Sequence, residues 1–163
     1  MCGRYGLGKF ALVDDEDFEV LNKFKWHLKP SDLSYNPEKI GYAKRGTRKE
    51  GKYTNVIMHR VILKAEEGEI CDHANGNTLD NRKENLRICT FKENSINSKK
   101  PRGNTSGFKG VSWNKPANKW IVFIAGDTKR IYLGLFSDKL EAAKVYNEAA
   151  LKYHGEFARL NVI

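Results

Sequence analysis

Residues 70–98 read ICDHANGNTLDNRKENLRICTFKENSINS. The stretch opens with a short apolar lead into Asp72-His73 and passes into a loop of Asn, Gly and Asp. RICT, residues 87–90, restores a brief strand signal. Thr90 with Glu93 three positions on has the form of a capping box, so a helix is predicted from Phe91, carrying Asn94 and Asn97 in its first two turns. The expected unit is strand, loop, strand, helix: a hairpin packed on a helix.

Adjacent residues on an extended segment point to opposite faces, so Asp72 and His73 are suited to two different tasks. The carboxylate can hold a cation while the imidazole acts on a neighbouring group. Asn94 adds an amide oxygen at the start of the helix. A carboxylate with an amide oxygen is a hard donor set that leaves positions for water and phosphate, which suits Mg²⁺. An imidazole beside a phosphate can take a proton from attacking water, which contributes roughly 10²–10⁴-fold to a rate. On spacing alone a structural histidine and an Asn-rich turn explain the same residues.

DHANGNTLDNRKENLR followed by T-x-x-x-N-x-x-N resembles the HNH endonuclease motif of the homing type, in the branch whose third motif residue is Asn. The upstream MHR at residues 58–60 and the VDDEDFEVLNKFKW segment are also similar to that group. The resemblance covers nearly all of residues 10–98. It implies His73 as general base, Asp72 as a metal-binding carboxylate, and Asn94 as the last ligand of Mg²⁺ or Mn²⁺. It implies Asn85 as the middle member of the catalytic set, bracing the hairpin and orienting His73. Asn97 is expected as a brace, and His59 as packing or a substrate contact. Asn75, Asn77, Asp80 and Asn81 are expected to build the loop through side-chain turns.

Upstream, Phe10 to Val13 gives a strand signal and Asp14 to Asp17 an acidic helix start, where carboxylates suit the helix dipole. GYAKRGTRKEGKYTNVIMHRVIL reads as two strands, or a strand and a helix, around a basic turn from Lys44 to Lys52. That turn reads as a solvated loop, with phosphate contact as the other possibility.

Downstream, SKKPRGNTSG marks a basic linker. The expected organisation is an HNH unit over residues 1–98, a linker over 99–106 and a second module over 107–163. The second module shows strand signals at Phe108 to Trp113, Lys119 to Ala125 and Arg130 to Phe136. A helix capped by Ser137 follows, with an apolar stripe through Leu140, Ala143, Tyr146, Ala150 and Tyr153. FKGV, the Trp of KW, RIYLGLF, EAAKVYNEAALKYHG and FARLN resemble an AP2/ERF DNA-binding domain. The resemblance implies a three-stranded antiparallel sheet packed on one helix, reading DNA through Lys109, Arg130 and Tyr132, with Trp113 and Lys115 in the same region. Ser112, Phe123 and Ala125 depart from the residues usual in plant members, so base preference does not carry over.

Composition fits a polyanion partner. The formal net charge is +9. Residues 1–98 hold 17 basic and 15 acidic side chains, whereas residues 99–163 hold 12 and 5. Three cysteines without a CxxC pair argue against a zinc knuckle or a disulfide framework. Cys71 and Cys89 are expected as small buried apolar residues. There is no membrane-length apolar run and no apolar core in MCGRYGLGKF, which points to a cytoplasmic protein of a bacterial or phage-infected cell. The expected fold class is α+β: a ββα-metal nuclease unit, then an AP2/ERF-like module. The expected function is a site-directed DNA endonuclease of the homing or mobile-element kind, acting on double-stranded DNA as a monomer or weak dimer. The alternative is a DNA-binding regulator whose HNH unit is inactive.

Overall fold

The acidic start at Asp15, Glu16 and Asp17 opens α1 (Asp15–Leu21), where the carboxylates face unpaired backbone N–H groups. In the computed structural model, residues 8–28, 41–49, 51–101 and 103–163 are described; Cys2 and the linker's Arg102 lie outside them. The described chain groups into two units, one ending at Thr90 and one beginning at Phe91.

In the first unit, α1 is tied to the loop before the hairpin's second strand. Lys83 Nζ meets Glu16 at 2.5 Å and Asp17 at 3.3 Å, and the Lys83 amide donates to Asp14 Oδ2 at 2.7 Å. The strand expected at Phe10 to Val13 is reduced to one parallel bridge, Leu12 to Asp80. Its neighbour there is the Asn-rich loop, which offers no further extended backbone to pair with. Strands β1 (His27–Leu28), β2 (Ala43–Lys49) and β3 (Lys52–Ile57) form an antiparallel sheet in that order. The short helix α2 (Met58–Ile62) follows β3 directly, so the basic stretch is a hairpin and MHRVI is helical. Leu21, Trp26, Leu28, Ala43, Met58, Ile62, Leu79 and Leu86 make the core. Upon it sits the antiparallel pair β4 (Ile70–His73) and β5 (Leu86–Cys89), with Asp72 opposite Arg87 and His73 opposite Leu86. Cys71 and Cys89 are half-buried thiols that form no disulfide, rather than buried residues.

The second unit begins with α3 (Phe91–Ile96), which starts where the capping signal put it. Strands β6 (Val111–Asn114), β7 (Lys119–Ala125) and β8 (Arg130–Phe136) form an antiparallel sheet with β7 central. The helix α4 (Lys139–His154) packs on one face. Three details differ from expectation. The first strand starts at Val111, because residues 108–110 are a turn that ends on Gly110 at φ 76°. The cap of α4 is Asp138, whose side chain accepts from the Glu141 amide at 2.7 Å. The buried helix face is Ala142, Ala143, Tyr146, Ala149 and Ala150, while Leu140 and Tyr153 are exposed. Small side chains let the helix approach Val111, Val122 and Ile124 closely. The stretch read as a linker includes an ordered knot: Ser106 is buried and donates toward Val111 O, and Asn104 accepts from the Gly107 amide. No helix among the described residues is long and apolar enough to cross a membrane.

Candidate active site and nucleic-acid interface

His73 ends β4, where the loop begins, and is 4% exposed. The buried Asn81 side chain fixes its tautomer. Asn81 Nδ2 donates to Leu79 O, so Oδ1 is the atom 3.3 Å from His73 Nε2 and accepts from it. Nε2 therefore carries the proton and Nδ1 is the lone-pair nitrogen. Burial pushes the His73 pKa down, against the Asn81 hydrogen bond and the charges of Asp72 and Asp80. Burial therefore favours the neutral, proton-accepting form of the ring.

Two rings enclose it. Tyr42 stacks on His73 with centroids 5.9 Å apart, and His59 meets it edge to face at 4.9 Å. His59 comes from α2 and is itself buried. Its pKa is lowered to about 4 by burial, then by the neighbouring charges of His73, Arg60 and Lys44. Burial, then the charge of Asp72, raises the Tyr42 pKa. Arg60 donates to the carbonyls of Glu69 and Glu66, so it holds the turn that leads into β4.

Asp72 is 7% exposed. Its cross-strand partner Arg87 donates to Oδ2 twice, from Nε at 3.0 Å and from Nη2 at 2.8 Å. The loop that follows is built by side chains. Asn85 Oδ1 accepts from the Asn75 amide, and Asn85 Nδ2 donates to Asp80 O. This closes the loop across ten residues. Asn75 and Asn77 turn the chain onto their own successors. Asp80 takes a two-point contact from Arg82 and one from Asn75 Nδ2. Those bonds hold its pKa down at about 2. Asp72, His73 and Asn85 thus converge on one hairpin. Asn94 lies on α3, in the other unit, and Asn97 is buried there.

A divalent cation fits the chemistry of Asp72: a hard carboxylate at a strand end beside an imidazole. Among the described residues no three His, Cys, Asp or Glu side chains converge as a metal cage. The protein's own donors are few, and water and phosphate oxygens would complete the sphere, as Mg²⁺ tolerates.

In the second unit, the pairs Phe123–Tyr132 and Ala125–Arg130 lie on the sheet face away from the buried Val122 and Ile124. Arg130 stands over the Phe123 ring at 5.6 Å, and that ring is 5.7 Å from exposed Tyr132. Lys115 is exposed in the turn after β6. Two expected residues do not join this face. Trp113 pairs with Trp120, 4.9 Å between centroids, on the side shared by Val111 and Val122, because alternation from Val111 puts it there. Lys109 is half-buried and donates to Ile96 O and Ser98 O. Burial and Arg159 lower its pKa to about 8.

Neither Tyr42 nor Arg87 stood out in the sequence. A two-strand register drawn back from His73 and Leu86 places Arg87 opposite Asp72, so that signal was present. Tyr42 reaches His73, and Lys44 reaches Tyr42, only through tertiary packing.

Residues 56–96 match the family model of the HNH endonucleases, a span containing His59, Asp72, His73, Asn85 and Asn94. The chain therefore belongs to the HNH endonuclease family. It is 32% identical over 171 residues to an uncharacterised HNH endonuclease, L560, of Acanthamoeba polyphaga mimivirus, covering 100% of this chain and 80% of that protein. It is 38% identical over 92 residues to protein 3.8 of Escherichia phage T7, covering 56% of this chain and 75% of the phage protein. A stretch of 64 residues is 39% identical to the ethylene-responsive transcription factor RAP2-11 of Arabidopsis thaliana, covering 38% of this chain and 25% of the plant protein. No solved structure matches.

Proposed function

We propose that the chain is a metal-dependent endonuclease that nicks or cuts double-stranded DNA, of the homing or mobile-element kind, with His73 as general base. One observation carries the reading: a buried neutral imidazole, oriented by Asn81 and adjacent to the Asp72 carboxylate. His73 Nδ1 takes a proton from the water that attacks phosphorus. Tyr42 and His59 hold the ring plane. Asn85 keeps the loop closed, so that Asn81 stays on Nε2. Asp72 is the residue inferred to hold Mg²⁺ or Mn²⁺, which would supply charge neutralisation at the phosphate and the leaving oxygen.

In this reading the second unit grips DNA through an AP2/ERF-like sheet. Arg130 and Tyr132 are the inferred contacts on its outer face, with Lys115 beside it. The cytoplasm of a bacterial or phage-infected cell is the inferred location, and relatives in a phage and a giant virus support it.

The test is relaxation of supercoiled plasmid by wild type and by His73→Ala, with Mg²⁺, with Mn²⁺ and with chelator. Metal-dependent nicking lost in the variant is the expected result. Equal nicking by His73→Ala would refute the assignment. The second reading, a DNA-binding regulator, draws on the Arg87 contacts that occupy Asp72 Oδ2. It predicts binding without any strand break.

A further inference from the structure

The hairpin of β2 and β3 carries Lys44, Arg45, Arg48, Lys49 and Lys52 within fourteen residues of sequence. The only acid between Ala43 and Ile57 is Glu50, which lies outside the described residues. Lys49 and Lys52 occupy paired positions. None of the described residues forms an ion pair with Lys44, Arg45, Arg48 or Lys52. The root of the hairpin is packed: Ala43 is buried, and Arg45 is stacked on Phe24 at 4.0 Å. The outer half is open, with residues 52–55 exposed on both faces.

The fold holds this ribbon at its base and leaves its outer strand exposed. The register puts Lys44, Arg48, Tyr53 and Asn55 on one face. Lys44 Nζ lies 5.9 Å from the Tyr42 ring, and Tyr42 stacks on His73. The cationic face therefore starts at the candidate base and runs outward. Lys44 to Arg48 spans about 13 Å, a length on the order of two successive phosphates.

We propose that the β2–β3 ribbon is a DNA-contacting surface of the first unit, seating the backbone of a duplex beside His73 through Lys44, Arg48 and Tyr53. The proposal rests on the reading of duplex DNA as substrate. It assigns to the first unit its own grip on DNA, separate from the sheet of the second.

The experiment uses the full chain with a mixed-sequence 30-base-pair DNA duplex in chelator, the length being about three helical turns. Lysine acetylation read by mass spectrometry is compared with and without duplex. Lys44 is expected to be protected at low salt, and Lys52, on the opposite face, to stay reactive. Arg48→Ala is expected to lower the salt slope of log K by about 1, while Arg48→Lys keeps it. Lys44 equally reactive with and without DNA overturns the proposal, as does protection by duplex RNA alone. The wild-type measurement needs no altered protein, so misfolding of a variant leaves it intact. Plasmid nicking by the same preparation separates the two failures. Nicking with Lys44 unprotected sinks only the ribbon; neither nicking nor duplex binding sinks both readings.

Discussion

His59 and His73 stand edge to face with ring centroids 4.9 Å apart, both buried on the core of the first unit. Two adjacent imidazoles cannot both be charged cheaply in such a place. The arrangement favours neutral rings, which is what a base requires.

Stability should therefore fall in mild acid. The folded pKa of His59, about 4, lies below the value near 6.5 of a free histidine. As pH drops, the unfolded chain binds the proton first. The contribution is whole above about pH 6.5 and is lost as pH falls toward about 4. Melting temperatures between those limits test it. His59→Phe, which keeps a ring beside His73, should flatten part of the slope; an unchanged profile would count against it.

Asn81 is predicted to matter for rate more than for binding. Asn81→Leu fills a similar volume but removes the acceptor of His73 Nε2. Single-turnover cleavage should slow about tenfold to a hundredfold, the range seen when an orienting partner is lost. Duplex affinity should stay the same. A matching loss of affinity would mean that the residue acts through the fold.

Asp72 and Arg87 test whether the cross-strand ion pair is structural. Arg87→Met takes the guanidinium away from a buried carboxylate and should cost about 3 kcal/mol in urea unfolding. Adding Asp72→Asn should recover most of it. If the double variant is no better than the single one, the pair carries no coupling.

Gly110 is predicted to tolerate no side chain. Its φ is 76°, and a Cβ there would lie 2.1 Å from the Tyr146 ring and 2.7 Å from Phe123 O. Gly110→Ala should cost about 3 kcal/mol from backbone strain and overpacking together. A melting temperature close to wild type would refute this account of the FKGV segment.

Much of this was legible in sequence where local rules dominate. The hairpin and helix over residues 70–98 followed from an apolar lead, a turn-rich loop and a cap. The β7 and β8 segments followed from alternation, and α4 was legible as a helix although its cap is Asp138 rather than Ser137. The rest depends on contacts distant in sequence. The Phe10 to Val13 signal found no strand to pair with and became a single bridge. Trp113 was grouped with the outward cations by its neighbourhood, but its register with Trp120 turns it the other way. Lys109 reads as a surface cation, yet its ammonium is spent on two backbone carbonyls. The stretch from Lys44 to Lys52 read as a basic turn between strands, because charge hides the strand signal of β2.

The three tryptophans are divided in a way that gives each unit its own optical signal. Trp26 is the sole indole of the first unit, and its Nε1 is fixed on Leu21 O. Trp113 and Trp120 form a T-shaped pair in the second. Coupled indoles contribute an exciton couplet in far-ultraviolet circular dichroism that an isolated one does not. Unfolding of the two halves can thus be followed separately in the native chain, without labels.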